Sequence, residues 1–227
     1  MPDPVAAVAC LDEPTRRRLY DVVARSAAPM SRDEAAEAAD VSRSTAAFHL
    51  DRLARAGLLE VTFARRSGRS GPGAGRPAKL YRRARGEVAV SLPGRRYPLA
   101  AGLLAAAFDQ VEQTGERPRA ALARLAQREG TSVGRSGGDL TTVLESCGYE
   151  PREAGDDEPP GIILTNCPFD ELVGAHADLV CTMNLHLLEG LLGGLGASGC
   201  AARLDPGPDR CCVRLERAPA PSPRRRG

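Results

Sequence analysis

Five cysteines lie in the last third of the chain, at Cys167, Cys181, Cys200, Cys211 and Cys212. Thiolates bind soft metals and cycle through disulfides, so this group points to metal or redox chemistry. Cys167 stands in Asn166-Cys167-Pro168-Phe169, between an apolar run and a helix-forming stretch. The positive end of a helix dipole favours a thiolate there. Cys181 falls near the start of a helix. Cys211 and Cys212 open a strand whose alternation sends one side chain to each face. If the helices pack on one sheet face, Cys167, Cys181 and one of Cys211 and Cys212 converge. His176, Asp178 and Cys200 are the further donors within reach. An iron–sulfur cluster takes four Cys, or three and another ligand. Zinc accepts three Cys with His176. The spacing is not that of a short zinc ribbon, and free Cys is among the most often buried residue types. Leu179, Val180, Val213 and Leu215 read as core neighbours. The alternative is therefore no cofactor, with structural cysteines beside an organic effector pocket. A thiol enzyme would have to use Cys167 with His176, and no orienting third group or oxyanion motif accompanies them. The reading is non-enzymatic. His186, in an apolar helix, reads as a core or interface residue, and Asp156-Asp157-Glu158 as a solvated acidic turn.

A second constellation is basic. Ser42 is a natural N-cap, and the helix it opens carries Arg43, Ser44, Thr45, His49 and Arg52. A helix with small polar and basic residues in its first turn can enter the major groove. Arg43 can then pair bidentately with a guanine edge, and Ser44 and Thr45 can reach phosphate or base. Residues 65–85 hold eight basic residues, among them Arg65, Arg66, Arg69, Arg76 and Lys79, and no acidic one. Each phosphate they neutralise releases counterions, so affinity for duplex DNA should fall steeply with salt.

These residues need elements to position them. The chain has 227 residues, 42% of them hydrophobic and 26% charged, which suits one or two soluble domains. Aromatics are only 4%, which argues against a base-stacking surface for single strands. No run of about 18 apolar residues provides a membrane span. Met1-Pro2-Asp3-Pro4 lacks a signal-peptide pattern, so a cytoplasmic location is expected. Net charge is +2, but it is unevenly placed. Residues 1–85 hold 16 basic against 10 acidic residues, a net of +6, and residues 139–216 hold 4 against 14, a net of −10. One half is suited to a polyanion.

Residues 14–26 have helical spacing behind Pro14. Ser31 and Glu34 form a capping box for a short helix ending near Asp40, and Gly57 ends the helix that Ser42 begins. Leu58–Phe63 and Ala78–Arg82 read as strands joined by a long basic tip. Residues 98–113 and 118–129 read as helices, with a break over 130–138. Residues 140–146 are a short helix. Residues 149–153, 161–165, 201–204 and 211–215 are strands, and 168–175 and 179–195 are two helices. The 98–113 helix is apolar nearly all round and needs a partner. A second subunit is the simplest one, because it joins two recognition helices across one turn of DNA.

The stretches DEPTRRRLYDVV, SRDEAAEAADVSRSTAAFHLDRLARAGLLE and GRPAKLYRR resemble the winged helix of ArsR-like bacterial regulators. The wing element is Gly75-Arg76-Pro77-Ala78-Lys79-Leu80-Tyr81. The resemblance covers about the first 85 residues. It implies that the helix after Ser42 reads the operator and that the wing contacts backbone or minor groove. Asn166–Phe169, Cys181 and the Cys211-Cys212 pair resemble the sensor of the SufR-type iron–sulfur repressors, which implies repression and a cluster on those cysteines. The sequence departs from these groups in three places. The wing loop from Arg65 to Gly75 is long and glycine-rich, Ser42–Ala47 lacks the Cys-x-Cys of metal-sensing relatives, and Cys200 matches no family ligand. The expected fold is α+β: a winged helix-turn-helix over 1–85, linker and dimerisation helices over 86–135, an α+β sensor with an antiparallel sheet over 136–217, and a disordered tail over 218–227. The expected partners are double-stranded operator DNA and a second copy of the chain, and no membrane.

Overall fold

The computed structural model describes residues 3–64, 77–156 and 158–217. Its two compact units are Met1–Val90 and Ser91–Gly227.

The first unit begins with α1 (Pro4–Ala9), where Asp3 accepts from the Val5 amide at 3.0 Å and Ala7 is buried. Six residues are too few for hydrophobic periodicity to reveal, and this helix was not expected. In α2 (Pro14–Arg25), Glu13 caps the Thr15 and Arg16 amides, and Leu19 and Val23 face inward. A two-residue strand, β1 (Met30–Ser31), leads into α3 (Arg32–Ala38), whose Ser31–Glu34 capping box forms as expected. Asp40 turns the chain with φ +50°, a conformation that Asp tolerates better than most residues. Helix α4 (Arg43–Arg55) then starts at Ser42, which accepts from the Thr45 amide at 3.1 Å. Gly57, at φ +73°, ends the helix and sends the chain into β2 (Leu59–Ala64). That strand pairs antiparallel with β3 (Ala78–Arg83), with Val61 opposite Tyr81, and β1 adds to the far edge of β3. Leu19, Val23, Ala46, Leu50, Leu53 and Tyr81 form the core. The order of helices and strands is that of a winged helix-turn-helix.

The second unit opens with α5 (Tyr97–Thr114) and α6 (Pro118–Arg135), followed by α7 (Leu140–Ser146). Strands β4 (Pro151–Glu153) and β5 (Gly161–Leu164) precede α8 (Asp170–Leu195), and β6 (Cys200–Leu204) and β7 (Val213–Arg217) close the chain. The sheet is antiparallel throughout, in the order β4-β5-β7-β6. The segment 86–135 does not pack apart from the rest: Ala100, Leu103 and Ala107 of α5 and Leu122 of α6 share one core with Leu188 of α8 and Val213 and Leu215 of β7.

One expectation is corrected here. The break over 130–138 begins later, because α6 runs through Gly130 and Gly134 to Arg135. Those glycines serve packing. A Cβ on Gly130 would lie 1.9 Å from the Leu187 carbonyl oxygen, and one on Gly190 of α8 would lie 2.1 Å from that of Gln127. Reciprocal glycines thus let the two helix backbones touch. The two helices expected over 168–175 and 179–195 are present: α8 consists of two helical segments that meet at a kink at His176, where φ is −137° and ψ 38°.

Candidate functional site

Helix α4 presents Arg43, Ser44, Phe48, Arg52 and Arg55 to solvent, while Ala46, Leu50 and Leu53 hold its other side in the core. Residues 44, 48, 52 and 55 recur at helical spacing and share one face. Ser42 Oγ lies 2.9 Å from Ser44 Oγ and 2.7 Å from Thr45 Oγ1, so the first turn is a hydroxyl cluster. Arg43 Nε is 2.5 Å from Asp33 Oδ1, with both side chains mostly exposed. A pair in water holds by at most about 1 kcal/mol, so phosphate or a guanine edge can replace Asp33.

Two sequence candidates are turned into the protein. His49 keeps only 13% of its side chain exposed and points at Glu13, 3.4 Å away, because it sits one residue before core Leu50. Lys79 is held by Asp51 of α4 at 2.5 Å, and the Tyr81 hydroxyl donates to the same carboxylate oxygen at 2.6 Å. Burial opposes ionisation of Asp51, but the hydrogen bonds from Lys79 and Tyr81 and the Lys79 charge outweigh it and hold the carboxyl below its ordinary range. Burial and the bond to Asp51 push the Tyr81 phenol up. The triad fastens β3 to α4. Arg65, Arg66, Arg69 and Arg76 lie outside the described residues, as do Asp157 and the tail 218–227.

Phe48 escaped the sequence reading. It is 56% exposed in the middle of the solvent-facing side of α4. Its place five residues before core Leu53 and two after core Ala46 was the available signal.

In the second unit the cysteines meet in pairs. Cys167, just past β5, and Cys211, just before β7, are buried with their thiols in hydrogen-bond contact. Cys181 of α8 and Cys212 are joined as a disulfide, with Cα atoms 6.1 Å apart. Since Cys211 and Cys212 are adjacent, both pairs lie at one end of the sheet. Asn184, one turn after Cys181 and fully buried, donates from Nδ2 to Cys211 Sγ at 3.1 Å and accepts from the Tyr149 hydroxyl. The hydrogen bond from Cys211 lowers the Cys167 thiol, against burial and with help from the Phe169 amide. The same bond and burial push Cys211 up. Of the two, Cys167 is the more readily ionised. A polar Asn at the head of the leucine-rich stretch Leu185–Leu192 was a legible mark of this network.

Other candidates stay apart. Cys200 faces Arg217 across β6–β7, at the far end of a five-residue strand from Cys212, which at about 3.3 Å per residue is roughly 15 Å. His176 is exposed at the α8 kink, whereas Cys167 is buried against Cys211, so the Cys167–His176 pair is not assembled. The four paired cysteines match a cluster or zinc site in donor type and number. With Cys181 and Cys212 bonded to each other, no three His, Cys, Asp or Glu side chains converge as metal ligands among the described residues.

The loop bearing Cys167 is bound to the chain that leads into α5. Arg95 Nη1 donates to the Asn166 side chain and, at 3.1 Å, to the Cys167 carbonyl. Asn166 Nδ2 donates to Gly94 O at 3.0 Å and Gly148 O at 2.5 Å, and the Arg96 amide donates to Pro168 O at 2.9 Å.

Residues 11–62 match the family model described as a helix-turn-helix domain. The match takes in α2, β1, α3, α4 and most of β2. No curated protein and no solved structure matches the chain significantly. The N-terminal unit is a helix-turn-helix domain, the DNA-reading element of transcription regulators. Among the described residues no helix is long and apolar enough to cross a membrane.

Proposed function

We propose that this chain is a homodimeric, cytoplasmic transcriptional repressor whose second unit senses a redox, metal or iron–sulfur signal through Cys167, Cys181, Cys211 and Cys212. The observation that carries the reading is the hydrogen-bonded tie from the Cys167 loop to residues 94–96. Those residues directly follow the helix-turn-helix unit in the chain, so chemistry at Cys167 bears on the connection to DNA reading.

Arg43, Ser44 and Thr45 read base edges and phosphates, Phe48 meets a thymine methyl, and the wing basic residues hold the backbone. Dimerisation uses the outer face of α5, where Ala101, Leu104, Ala105 and Phe108 recur at helical spacing and Phe108 is 64% exposed. The second unit has two chemical states. In one, Cys181–Cys212 is a disulfide. In the other, two electrons and two protons have reduced it to thiols, and four cysteines are available. Four Cys thiolates are the complement of an iron–sulfur cluster or a structural zinc; either group, when bound, would hold β7 and α8 to the Cys167 loop. A ligand or redox state shifts DNA affinity only by its differential free energy for the two states.

The test is anaerobic purification with a visible spectrum, iron, sulfide and zinc analysis, a thiol count, and operator binding of reduced and oxidised protein. Cysteine-dependent metal or disulfide content that changes DNA affinity supports the reading. DNA affinity indifferent to metal and to thiol state removes the sensing half and leaves the DNA-binding half standing.

A second reading rests on a cavity of about 240 Å³ in the same unit. Leu99, Val133, Phe169, Leu187 and Leu191 give it apolar walls, with Arg96 and Glu129 at its edge. It suits a small, mainly apolar effector. Operator release by such a compound in a protein lacking all four cysteines would favour it.

A further inference from the structure

The sheet of the second unit has one face in the core and one turned away from it. Ile162, Val213 and Leu215 belong to the core, so by alternation Ile163 and Arg214 face the other way. Arg152 pairs with Ile163 across β4–β5, and Arg203 with Arg214 across β6–β7. One row across the outer face thus carries three guanidiniums. Like charges directly opposite each other destabilise a sheet unless anions intervene.

Two of the three have anions. Arg152 holds Glu158 with bonds of 2.9 and 3.1 Å, and these with the Gly155 amide draw that carboxyl down to about 2. Arg203 is 3.7 Å from Glu216. Arg214 is different. It is only 5% exposed, its Nε and Nη2 have no hydrogen-bond partner, and its nearest carboxylate oxygen, on Asp205, is 3.9 Å from Nη1. That same Asp205 oxygen serves Arg210 at 3.1 Å, and Arg210 Nε is also buried without a partner. Buried guanidiniums are ordinarily saturated, because an unpaired buried charge is strongly disfavoured.

The vacant donors have a geometry. Nε–H and the Nη2–H beside it form one edge of the guanidinium, a parallel fork that matches two oxygens on one carbon or phosphorus. Arg210 Nε supplies a third donor. Arg210 and Arg214 line an open cleft of about 640 Å³ with Arg152, Leu204 and the carboxylates of Glu158, Asp205 and Glu216, of which Glu158 is held by Arg152, Asp205 by Arg210 and Glu216 by Arg203.

We infer that this cleft is a binding site for a small oxyanion, the phosphate or carboxylate group of a soluble metabolite, held by the Nε–Nη2 fork of Arg214 with Arg210 as the third donor. The site is separate from the DNA-reading face, and the inference does not rest on cysteine sensing. It places a small-molecule input on the strand that follows Cys212.

The test is calorimetric titration of the full chain with inorganic phosphate and, separately, malonate, at constant ionic strength in chloride. One site per chain is expected for at least one of them, with Arg214→Met weakening it at least tenfold and Arg210→Ala severalfold. Arg203→Ala should bind as the wild type does. Tighter phosphate identifies a phosphate ester as the ligand class, and tighter malonate a carboxylate. Arg214→Met should melt no lower than wild type without ligand, since it removes two buried donors that have no partner. Absence of binding by both anions, equal binding by Arg214→Met, or a sharp loss of stability in that variant overturns the inference.

Discussion

Gly130→Ala offers the most direct measure of how α6 and α8 are held together. Helix propensity alone favours the change by about 1 kcal/mol. Packing opposes it. The new Cβ would stand 1.9 Å from the Leu187 carbonyl oxygen and 2.9 Å from the Leu191 nitrogen. Both are backbone atoms in the middle of α8, so no side chain can swing aside. The helices must separate by about 1 Å or more to reach van der Waals distance, which thins the contacts around Leu187 and Leu191. Overpacking of a core costs about 1–3 kcal/mol, more where nothing yields. With the upper end of that range, the net effect is a loss of about 2 kcal/mol. At about 2–4 °C per kcal/mol for a chain of this size, the transition of the second unit should fall by about 4–8 °C. Gly102 in α5 supplies the control, because a Cβ there would meet no atom of a neighbouring element within 4 Å. Gly102→Ala should gain most of the propensity, about 1 kcal/mol, and melt higher. The assay is thermal denaturation of the two variants beside wild type, followed by circular dichroism. A Gly130→Ala protein as stable as wild type would refute the close contact of the two backbones.

Other predictions concern the two sites. Arg43→Ala should lose about 1–3 kcal/mol of operator discrimination with unchanged melting, read by competition binding against non-specific DNA, and Phe48→Ala should bind thymine and deoxyuridine operators alike where wild type prefers thymine. The Asp51 carboxyl is depressed in the folded state, so its contribution is present above the unfolded carboxyl pKa and lost as pH falls through the folded one. Asp51→Asn should therefore flatten the acid limb of stability of the first unit below about pH 4, with a loss at neutral pH of at most about 1 kcal/mol because the side chain is partly solvated; an unchanged acid limb would exclude the triad. Cys211→Ala removes the bond that lowers Cys167, so iodoacetamide labelling of Cys167, followed by mass spectrometry, should shift to higher pH.

The first unit was legible because its signals are local. A capping box at Ser31–Glu34, an N-cap at Ser42 and a left-handed Gly57 each act within one turn of chain, and they bounded α3 and α4 within about two residues. The inward turn of His49 and the tie of Lys79 to Asp51 were not legible, because each depends on a partner 28 or more residues away. In the second unit, Gly130 and Gly134 mislead a propensity reading. Their role is set by α8, far along the chain, and a glycine that admits a neighbouring backbone looks the same in sequence as one that ends a helix. The cysteines showed the same division. Their convergence could be argued from strand alternation, but the choice of partners, Cys167 with Cys211 and Cys181 with Cys212, required the packing of α8 on the sheet.

That packing also explains why one asparagine matters on each side of the cysteine pairs. Asn184 fixes Cys211 from α8, and Asn166 fixes the Cys167 loop to residues 94–96 and to Gly148. Both are buried amides whose hydrogen bonds would be left unmade if the loop moved, and an unmade buried bond costs about 1–3 kcal/mol. The two pairs are therefore held in register by groups that resist small displacements. A change of covalent state at Cys181–Cys212 frees α8 from the chain just before β7, while the Cys167–Cys211 contact still joins that chain to the loop. Coupling between sites is typically worth about 1–3 kcal/mol, the same size as one or two such hydrogen bonds. The Asn166 contacts are of that size, so under the proposed sensing role their rearrangement alone would be enough to alter operator affinity by a factor of roughly ten to a hundred.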